Sequence, residues 1–373
     1  MISMFLIAGC SNEQSSGNVV KSQPTTSPAT SQGDIKLGWI GPLTGEAASF
    51  GQNALAGATL AVNEINAQGG INGRQIKLIT EDDKCSASGV EAMQKLVNVN
   101  NVDVIAGPVC SASAGPALPV AAQAGTPVMM FTASAPGLTA LGDRIFRVYP
   151  SDSFQGVEAA KFVYNTLGAH KVAVVYVQND WGVGIQKVFD DSFKALGGEI
   201  VYESGVAQNA ADFRTEVTKI KDSGAQAVFA PLHPAEGVNF VKQSTETGLK
   251  IPLMGGDAWS GDEFVKSGSV EGSLFMVSKV ETPDLFKQKV HTVKGYESLD
   301  VSFVASLGYD SVKVMAAAMQ KVGTDKAKIA QELYGITYHG VSSPTIEFDS
   351  QGDLKQAVFE VKRVTNKEAV NYR

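Results

Sequence analysis

Two segments rich in serine stand out in a stretch of the chain that carries no charge. Between Asp103 and Asp143 there is no Asp, Glu, Lys or Arg, and this stretch contains the segments 108–113 and 131–137. Each segment follows an apolar run and precedes a helical one, so its hydroxyl groups are expected at a helix N-terminus. Free N–H groups and a partial positive charge there hold an anion without Lys or Arg. The simpler alternative is that these serines only cap helices.

The second half of the chain supplies the opposite charge. Asp257 follows an apolar run directly, His233 ends another, and Asn179 and Trp181 follow a third. An uncharged anion cradle that faces an acid and aromatic rings would suit a zwitterion. Taken singly, Asp257 is more often a surface turn residue and Trp181 more often a packing residue.

Enzyme chemistry finds little support in the residues. The chain has 4 His and contains no HExxH motif, no G-x-S-x-G motif and no phosphate-binding loop. The glycines at Gly182 and Gly184 lack the third glycine and the acidic partner of a dinucleotide-binding loop. A metal at Glu81–Asp83 is one interpretation, but a solvated acidic loop is favoured. We therefore expect no catalytic residue, no cofactor and no metal.

The elements that must position these side chains alternate between strand and helix. A helical pattern at 50–66 and another at 87–98 follow the first two strands. Alternation of this kind predicts an α/β fold, with parallel sheets covered by helices on both faces and ligands beyond the carboxyl ends of the strands. About 340 residues after the N-terminal segment suggest two domains. The predicted strands are 35–40, 75–80, 102–106, 127–131, 171–177, 199–205, 227–232, 251–255 and 273–277.

The N-terminus reads as a bacterial lipoprotein signal. Residues 6–10 end on Cys10 after small and apolar residues, although no Lys or Arg precedes them. Residues 11–33 are almost entirely small and polar, which predicts a flexible tether. We therefore expect 1–10 to be a signal remnant and Cys10 to carry lipid, with a chance apolar start as the alternative. The net charge of −7 argues against nucleic acid as a partner.

Three cysteines are present, and assigning Cys10 to lipid leaves the pair Cys85 and Cys110. In an oxidising compartment this pair should form a disulfide. Two buried free thiols are the alternative. A zinc site lacks the necessary number of ligands.

Several motifs in combination resemble the periplasmic leucine/isoleucine/valine-binding proteins, the type I solute receptors of ABC transporters. The resemblance runs from about Asp34 to about Val364. It rests on the sequences at 41–45 (GPLTG), 63–66 (NEIN), 69–73 (GGING), 82–85 (DDKC), 110–111 (CS) and 134–136 (SAP).

The resemblance implies two Rossmann-like lobes with parallel sheets, joined by three crossovers near Tyr149–Ser151, Lys279–Glu281 and Gly340–Ser343. Lobe 1 would comprise 34–149 and 281–341, and lobe 2 would comprise 150–280 and 342–373. It also implies the Cys85–Cys110 bridge.

The family's binding residues carry over position by position. Ser111 matches the serine that holds the ligand carboxylate, Ser134 a threonine on carboxylate and ammonium, and Asp257 the acid on the ammonium, shortened from Glu. The others are expected to complete the ligand cavity: Phe50, Thr132 with its backbone carbonyl, Ala133, Trp181, Phe303, and Leu232 where the family often has tyrosine.

The resemblance implies a receptor that captures a small neutral amino acid, with a branched-chain or aliphatic one favoured, between closing lobes and delivers it to an ABC permease. We expect a monomer in the periplasm or on the outer face of the cell membrane, held only by its lipid. An amide or a small aromatic carboxylate is the alternative ligand, and a sensor module of the same fold is the alternative role.

Overall fold

The computed structural model describes residues 33–45 and 47–372, and it places two α/β sheets in that part of the chain. The predicted lipid site Cys10 and the predicted tether up to residue 32 lie outside the described residues. The strands are β1 (Ile35–Gly41), β2 (Ile76–Asp82), β3 (Val104–Ala106), β4 (Val128–Met130), β5 (Ile145–Arg147), β6 (Lys171–Val177), β7 (Glu199–Val206), β8 (Ala227–Ala230), β9 (Leu253–Gly255), β10 (Leu274–Ser278), β11 (Phe359–Thr365) and β12 (Glu368–Asn371).

The helices fill the connections between these strands, as the alternation predicted. They are α1 (Ala48–Ala67), α2 (Gly89–Gln94), α3 (Ser111–Gln123), α4 (Asp152–Lys161), α5 (Asp180–Ala195), α6 (Arg214–Ser223), α7 (Pro234–Glu246), α8 (Asp262–Val265), α9 (Asp284–Val290), α10 (Phe303–Val322) and α11 (Lys326–Tyr334). Wider π-helical turns continue α2 and α4 at Lys95–Asn100 and Phe162–Thr166.

Each sheet with its helices forms one lobe. The first lobe contains the parallel sheet β2-β1-β3-β4-β5, and the second contains the sheet β12-β11-β10-β9-β8-β6-β7. The prediction of parallel sheets is confirmed except at one edge, where β11 pairs antiparallel with both β10 and β12. The strands β5, β11 and β12 were not predicted.

The third crossover lies later in the chain than Gly340–Ser343, so that boundary was predicted wrongly. Ile346, Phe348 and Leu354 pack into the apolar core of the first lobe, whereas Val364 packs into that of the second. The chain therefore leaves the first lobe after Leu354, and residues 342–354 belong to lobe 1 and not lobe 2.

The first lobe is held together by an unusually close approach of α1 and α10. A Cβ atom at Gly57 would lie 1.8 Å from the carbonyl oxygen of Ala305, and one at Gly308 would lie 2.1 Å from that of Ala54. Only glycine at both positions lets the two helix backbones meet. Since α10 comes from the far end of the chain, this contact closes the first lobe around its sheet.

We predict that Gly57→Ala lowers the free energy of unfolding by about 2 kcal/mol or more, because the two helices must separate. Chemical denaturation of the purified protein measures this. Gln52→Ala, at an exposed position on the same helix, is the control and should change stability little. Equal stability of Gly57→Ala and the wild type would show that the contact does not hold the helices together.

Candidate functional site

A cavity of about 420 Å³ lies between the carboxyl edges of the two sheets. Its wall comes from both lobes, as expected of open α/β sheets. Seven of the predicted site residues line it: Phe50, Ser111, Thr132, Ser134, Trp181, Asp257 and Phe303. The wall also includes Lys84, Cys85, Val109, Asn179, Gln208, Asn209, His233, Asp262 and Glu263.

Two predicted residues do not line the cavity. Leu232 is fully buried in the core of the second lobe, and the next residue, His233, faces the cavity instead. Neighbouring side chains of an extended segment point to opposite sides, so the prediction was displaced by one residue. Ala133 is likewise buried, in the core on the other face of the first sheet, and its neighbours Thr132 and Ser134 reach the cavity.

The predicted disulfide between Cys85 and Cys110 is confirmed and lies at the edge of the cavity. Cys110 immediately precedes the first residue of α3. The bridge therefore ties the 82–85 loop to the start of this helix.

Asp83 stabilises that loop with two hydrogen bonds. Its carboxylate is fully buried and accepts from the Ser113 hydroxyl at 2.7 Å and from the Cys85 N–H at 2.9 Å. The expectation of a solvated acidic loop at Glu81–Asp83 was therefore wrong for Asp83. Among the described residues, no group of three potential metal ligands is present.

The hydroxyl of Ser111 has a fixed hydrogen-bond direction. Ser111 is the first residue of α3, and its Oγ accepts from the backbone N–H groups of Ser134 at 3.2 Å and Ala135 at 3.1 Å. A serine oxygen has two lone pairs and one proton. Since both lone pairs are in use, Ser111 has only its proton to offer a ligand. The first N–H groups of α3 lack acceptors within the helix and add donors beside it.

The hydroxyl of Ser134 has the opposite direction. Its Oγ donates to the Asp152 carboxylate at 2.9 Å, which commits its proton and leaves its lone pairs. The cavity therefore presents a hydroxyl donor at Ser111 and a hydroxyl acceptor at Ser134. Thr132 donates its hydroxyl to the Val109 carbonyl at 2.8 Å, which connects the two loops a second time.

Two acids, Asp257 and Asp152, lie on the acceptor side of the cavity, and burial disfavours their charged forms. Burial raises the pKa of Asp257 to about 6, although the neighbouring Tyr149 hydroxyl and backbone N–H groups oppose the shift. Burial and the charge of Asp257 raise the pKa of Asp152 well above its usual range. The Tyr149 hydroxyl is buried with no partner in hydrogen-bond geometry, and burial and Asp257 raise its pKa. A cation in the cavity would stabilise these carboxylates.

The second lobe contributes an aromatic wall of Trp181 and His233. The two rings stack with centroids 5.1 Å apart and 20° between their planes. Asn179 caps α5 by accepting the Gly182 N–H with Oδ1 at 3.0 Å, so its amide nitrogen, 2.9 Å from His233 Nε2, must be the donor to that ring. Burial lowers the pKa of His233. His233 is therefore neutral, with its proton on Nδ1.

A buried arginine behind the Ser134 loop was not anticipated. The Arg147 guanidinium donates to the carbonyls of Ala133 at 3.2 Å and Ala135 at 3.0 Å, and it forms an ion pair with Asp353 at 2.5 Å. Because these carbonyls face Arg147, the loop turns its N–H groups toward Ser111. The signal in the sequence was one arginine at the end of an apolar strand.

The fold and the cavity define the class of the protein. Two α/β lobes joined by three crossovers, with a cavity between them, are the architecture of a two-lobed solute receptor. The chain belongs to the periplasmic binding protein family, whose model matches residues 34–368. It is a periplasmic binding protein of the branched-chain amino acid ABC transporter type. The resemblance and the fold class predicted from the sequence are thereby confirmed.

Relatives and solved structures cover most of the chain. An amino acid binding protein of Pseudomonas aeruginosa is 33% identical over 88% of this chain and 89% of its own. A leucine-, isoleucine-, valine-, threonine-, and alanine-binding protein of the same organism is 30% identical over 88% and 89%. The branched-chain amino acid transporter substrate-binding protein of Streptococcus pneumoniae, in complex with isoleucine, has a TM-score of 0.78 and 29% identity over 90% and 97%.

The family is extracytoplasmic. Within the described part of the chain, no helix combines the length and apolar character needed to cross a membrane.

We predict that Arg147→Gln lowers the free energy of unfolding by about 3 kcal/mol, because it breaks a buried ion pair and leaves two loop carbonyls without donors. Thermal and chemical denaturation measure the loss. Arg214→Gln is the matched control, since the Arg214–Asp212 pair is exposed and should contribute little. If both variants lose the same small amount, Arg147 does not hold the loop.

Proposed function

We propose that this protein is the receptor of an ABC importer for a neutral α-amino acid, with an aliphatic side chain favoured. The observation that carries the proposal is the opposite direction of the two hydroxyls. Ser111 can only donate, which suits a carboxylate, and Ser134, whose proton is committed to the ionised Asp152, accepts, which suits an ammonium. Asp257 lines the same cavity and supplies the countercharge. The Thr132 carbonyl is proposed as a further acceptor for the ammonium.

An apolar part of the remaining wall supports an apolar ligand side chain. Phe50, Phe303 and Val109 come from the first lobe, and Trp181 faces them from the second. The neutral state of His233 adds aromatic surface without charge. An aliphatic side chain buried there gains about 25 cal/mol per Å² of apolar surface removed from water.

A small aromatic carboxylate is the second candidate, and the stacked pair of Trp181 and His233 favours it. Such a ligand would use Ser111 equally well. It brings no ammonium, however, and would leave Asp257 desolvated without a countercharge, which is costly.

We further propose that the solute is released unchanged to ABC permease subunits and that the protein acts as a monomer outside the cytoplasm. Lipid on Cys10 would hold it at the membrane. The family supports the permease and the location outside the cytoplasm. The sequence at 6–10 supports the lipid, and Cys10 lies outside the described residues.

The ligand proposal is tested by calorimetry on protein stripped of bound solute by unfolding and refolding. Leucine should bind, whereas 4-methylpentanoate (leucine without its amine) and benzoate should bind much more weakly. Asp257→Asn should weaken leucine binding by about 2–4 kcal/mol, because the desolvated ammonium loses its countercharge. Ser111→Ala should cost about 1–2 kcal/mol, since the N–H groups of α3 remain.

Asp191→Asn is the control for the removal of an acid, because Asp191 is exposed on the outside of α5. It should bind leucine as the wild type does. Tighter binding of benzoate than of any amino acid would replace the proposed ligand by the aromatic carboxylate. Equal leucine affinity in the wild type and in Asp257→Asn would remove Asp257 from the site.

We propose that ligand binding closes the two lobes, and Gly184 offers a test. This residue of α5 lies against Pro136 of the first lobe, and a Cβ atom there would lie 2.7 Å from the proline Cδ. Gly184→Ala raises helix propensity and obstructs the closed state. Leucine affinity should fall about five- to ten-fold, while the ligand-free protein keeps its stability.

Small-angle scattering completes that test. The wild type should contract on binding, and Gly184→Ala should contract less at the same saturation. Lys187→Ala, exposed on the same helix, should behave as the wild type. An unchanged radius of gyration in the stripped wild type at saturating leucine would contradict closure.

A further inference from the structure

Asp152 lies at the junction of the lobes and is bonded twice to Ser134. It is 1% exposed and is the first residue of α4, directly after the first crossover. Its carboxylate accepts the Ser134 hydroxyl at 2.9 Å, and its N–H donates to the Ser134 carbonyl at 2.8 Å. A residue of the second lobe thereby fixes both ends of a ligand-facing residue of the first.

The charges around Asp152 leave it without a cation of its own. Asp257 faces it from the loop after β9, Tyr149 from the crossover and Arg147 from β5. The Arg147 guanidinium donates its hydrogen bonds to Asp353 and to two loop carbonyls instead. Among the described residues, no Lys or Arg forms an ion pair with Asp152. Two carboxyl groups therefore share a buried region that holds no free cation.

The charge state of Asp152 decides what Ser134 offers. While Asp152 is ionised it can only accept, so the Ser134 proton points to it and the Ser134 lone pairs face the ligand. Once Asp152 is protonated its O–H can donate to Ser134 Oγ, and the Ser134 proton is then free to turn into the cavity. The same hydroxyl would then favour an anion over an ammonium.

We infer that Asp152 is a positioning residue which, through Ser134, makes the site select ligands with an α-ammonium group, and that ammonium binding expels a proton from the pair Asp152 and Asp257. The inference rests on the proposed function. The proton balance is simple: the ligand enters as a zwitterion, one of the two carboxyl groups loses a proton, and that proton goes to solvent.

The sign of the pH dependence follows. The ammonium-binding form of the pair is ionised, and burial raises the pKa of Asp257 to about 6 and that of Asp152 well above its usual range. Lowering the pH protonates the pair, so leucine affinity should fall, by about ten-fold per pH unit where one proton is expelled. The affinity for 4-methylpentanoate should stay level or rise over the same range.

Calorimetry in buffers of different ionisation enthalpy counts the expelled protons. The wild type should release about one proton per leucine near pH 6 and none with 4-methylpentanoate. Asp152→Asn should reduce leucine affinity by about ten-fold or more, leave 4-methylpentanoate binding unchanged or stronger, and release fewer protons. Loss of affinity for both ligands in the same ratio would mean that Asp152 is merely structural and would overturn the inference.

Two further variants keep the test decisive if Asp152→Asn does not fold. Ser134→Ala removes the group through which Asp152 acts and should lower the preference for leucine over 4-methylpentanoate, whereas Ser134→Thr retains the hydroxyl and should restore it. An unchanged preference in Ser134→Ala would overturn the inference. Where the double variant folds, Asp152→Asn should add little to Ser134→Ala.

A control and a criterion separate this inference from the proposed function. Asp310→Asn removes another buried acid, which is bonded to Ser342 and does not line the cavity, and should leave the ligand preference and proton count unchanged. If the wild type binds no amino acid, the proposed function fails. If it prefers leucine to 4-methylpentanoate but Asp152→Asn keeps that preference and the full proton count, only the role of Asp152 fails.

Discussion

The acceptance of two backbone N–H groups by one serine hydroxyl organises the site. Ser111 Oγ takes the N–H groups of Ser134 and Ala135, and this ties the start of α3 to the loop after β4. Because both lone pairs of Ser111 are used, its proton must point elsewhere, and the N–H of Ser134 is no longer available to a ligand. This arrangement sets which group of Ser111 a ligand can meet.

Scaffold interactions hold that arrangement from three sides. Arg147 draws the carbonyls of the loop away from Ser111, the Cys85–Cys110 bridge fixes the start of α3, and Asp152 fixes Ser134 across the first crossover. The Arg147 and Asp152 hydrogen bonds are costly to disturb because their polar groups are buried and already paired, and the bridge is covalent. The donors for an anion are therefore the Ser111 hydroxyl and the first N–H groups of α3, with Lys84 as a basic residue of the cavity wall.

Acidic groups are concentrated where the lobes meet, and under the proposed function they link binding to closure. Asp257 comes from the second lobe, whereas Ser111 and Ser134 come from the first. A zwitterion bound to all three must bridge the lobes, and expelling water from between them strengthens the attraction of Asp257 for the ammonium. Under the proposed function, the ligand would stabilise a closed state in which the cavity is complete.

Much of the fold could be read from the sequence because strand and helix patterns are local. The strand 171–177 was predicted with its observed bounds, and the serine segments were recognised because the loops after parallel strands meet at one edge. The remainder depends on contacts distant in sequence. Whether Leu232 or His233 faces the cavity depends on a one-residue register after β8, and the third crossover depends on where Ile346 and Phe348 pack.

The buried partners of Arg147 and Ser134 could not be predicted from the sequence for the same reason. Nothing near Arg147 indicates that Asp353 is its partner, since more than two hundred residues separate them. Asp152 gave no signal in the sequence, because an acidic residue is common in the first turn of a helix. Only the three-dimensional structure shows that it receives the Ser134 hydroxyl.

The central claim is that the Ser111 and Ser134 hydroxyls bind ligand groups of opposite charge. A crystal structure of the stripped protein with leucine bound tests this claim most directly. The account predicts the ligand carboxylate within hydrogen-bond distance of Ser111 Oγ and the first N–H groups of α3, with the ammonium between Ser134 Oγ and the Asp257 carboxylate. A leucine bound in the reverse orientation, or with its ammonium out of reach of both Ser134 and Asp257, would contradict it.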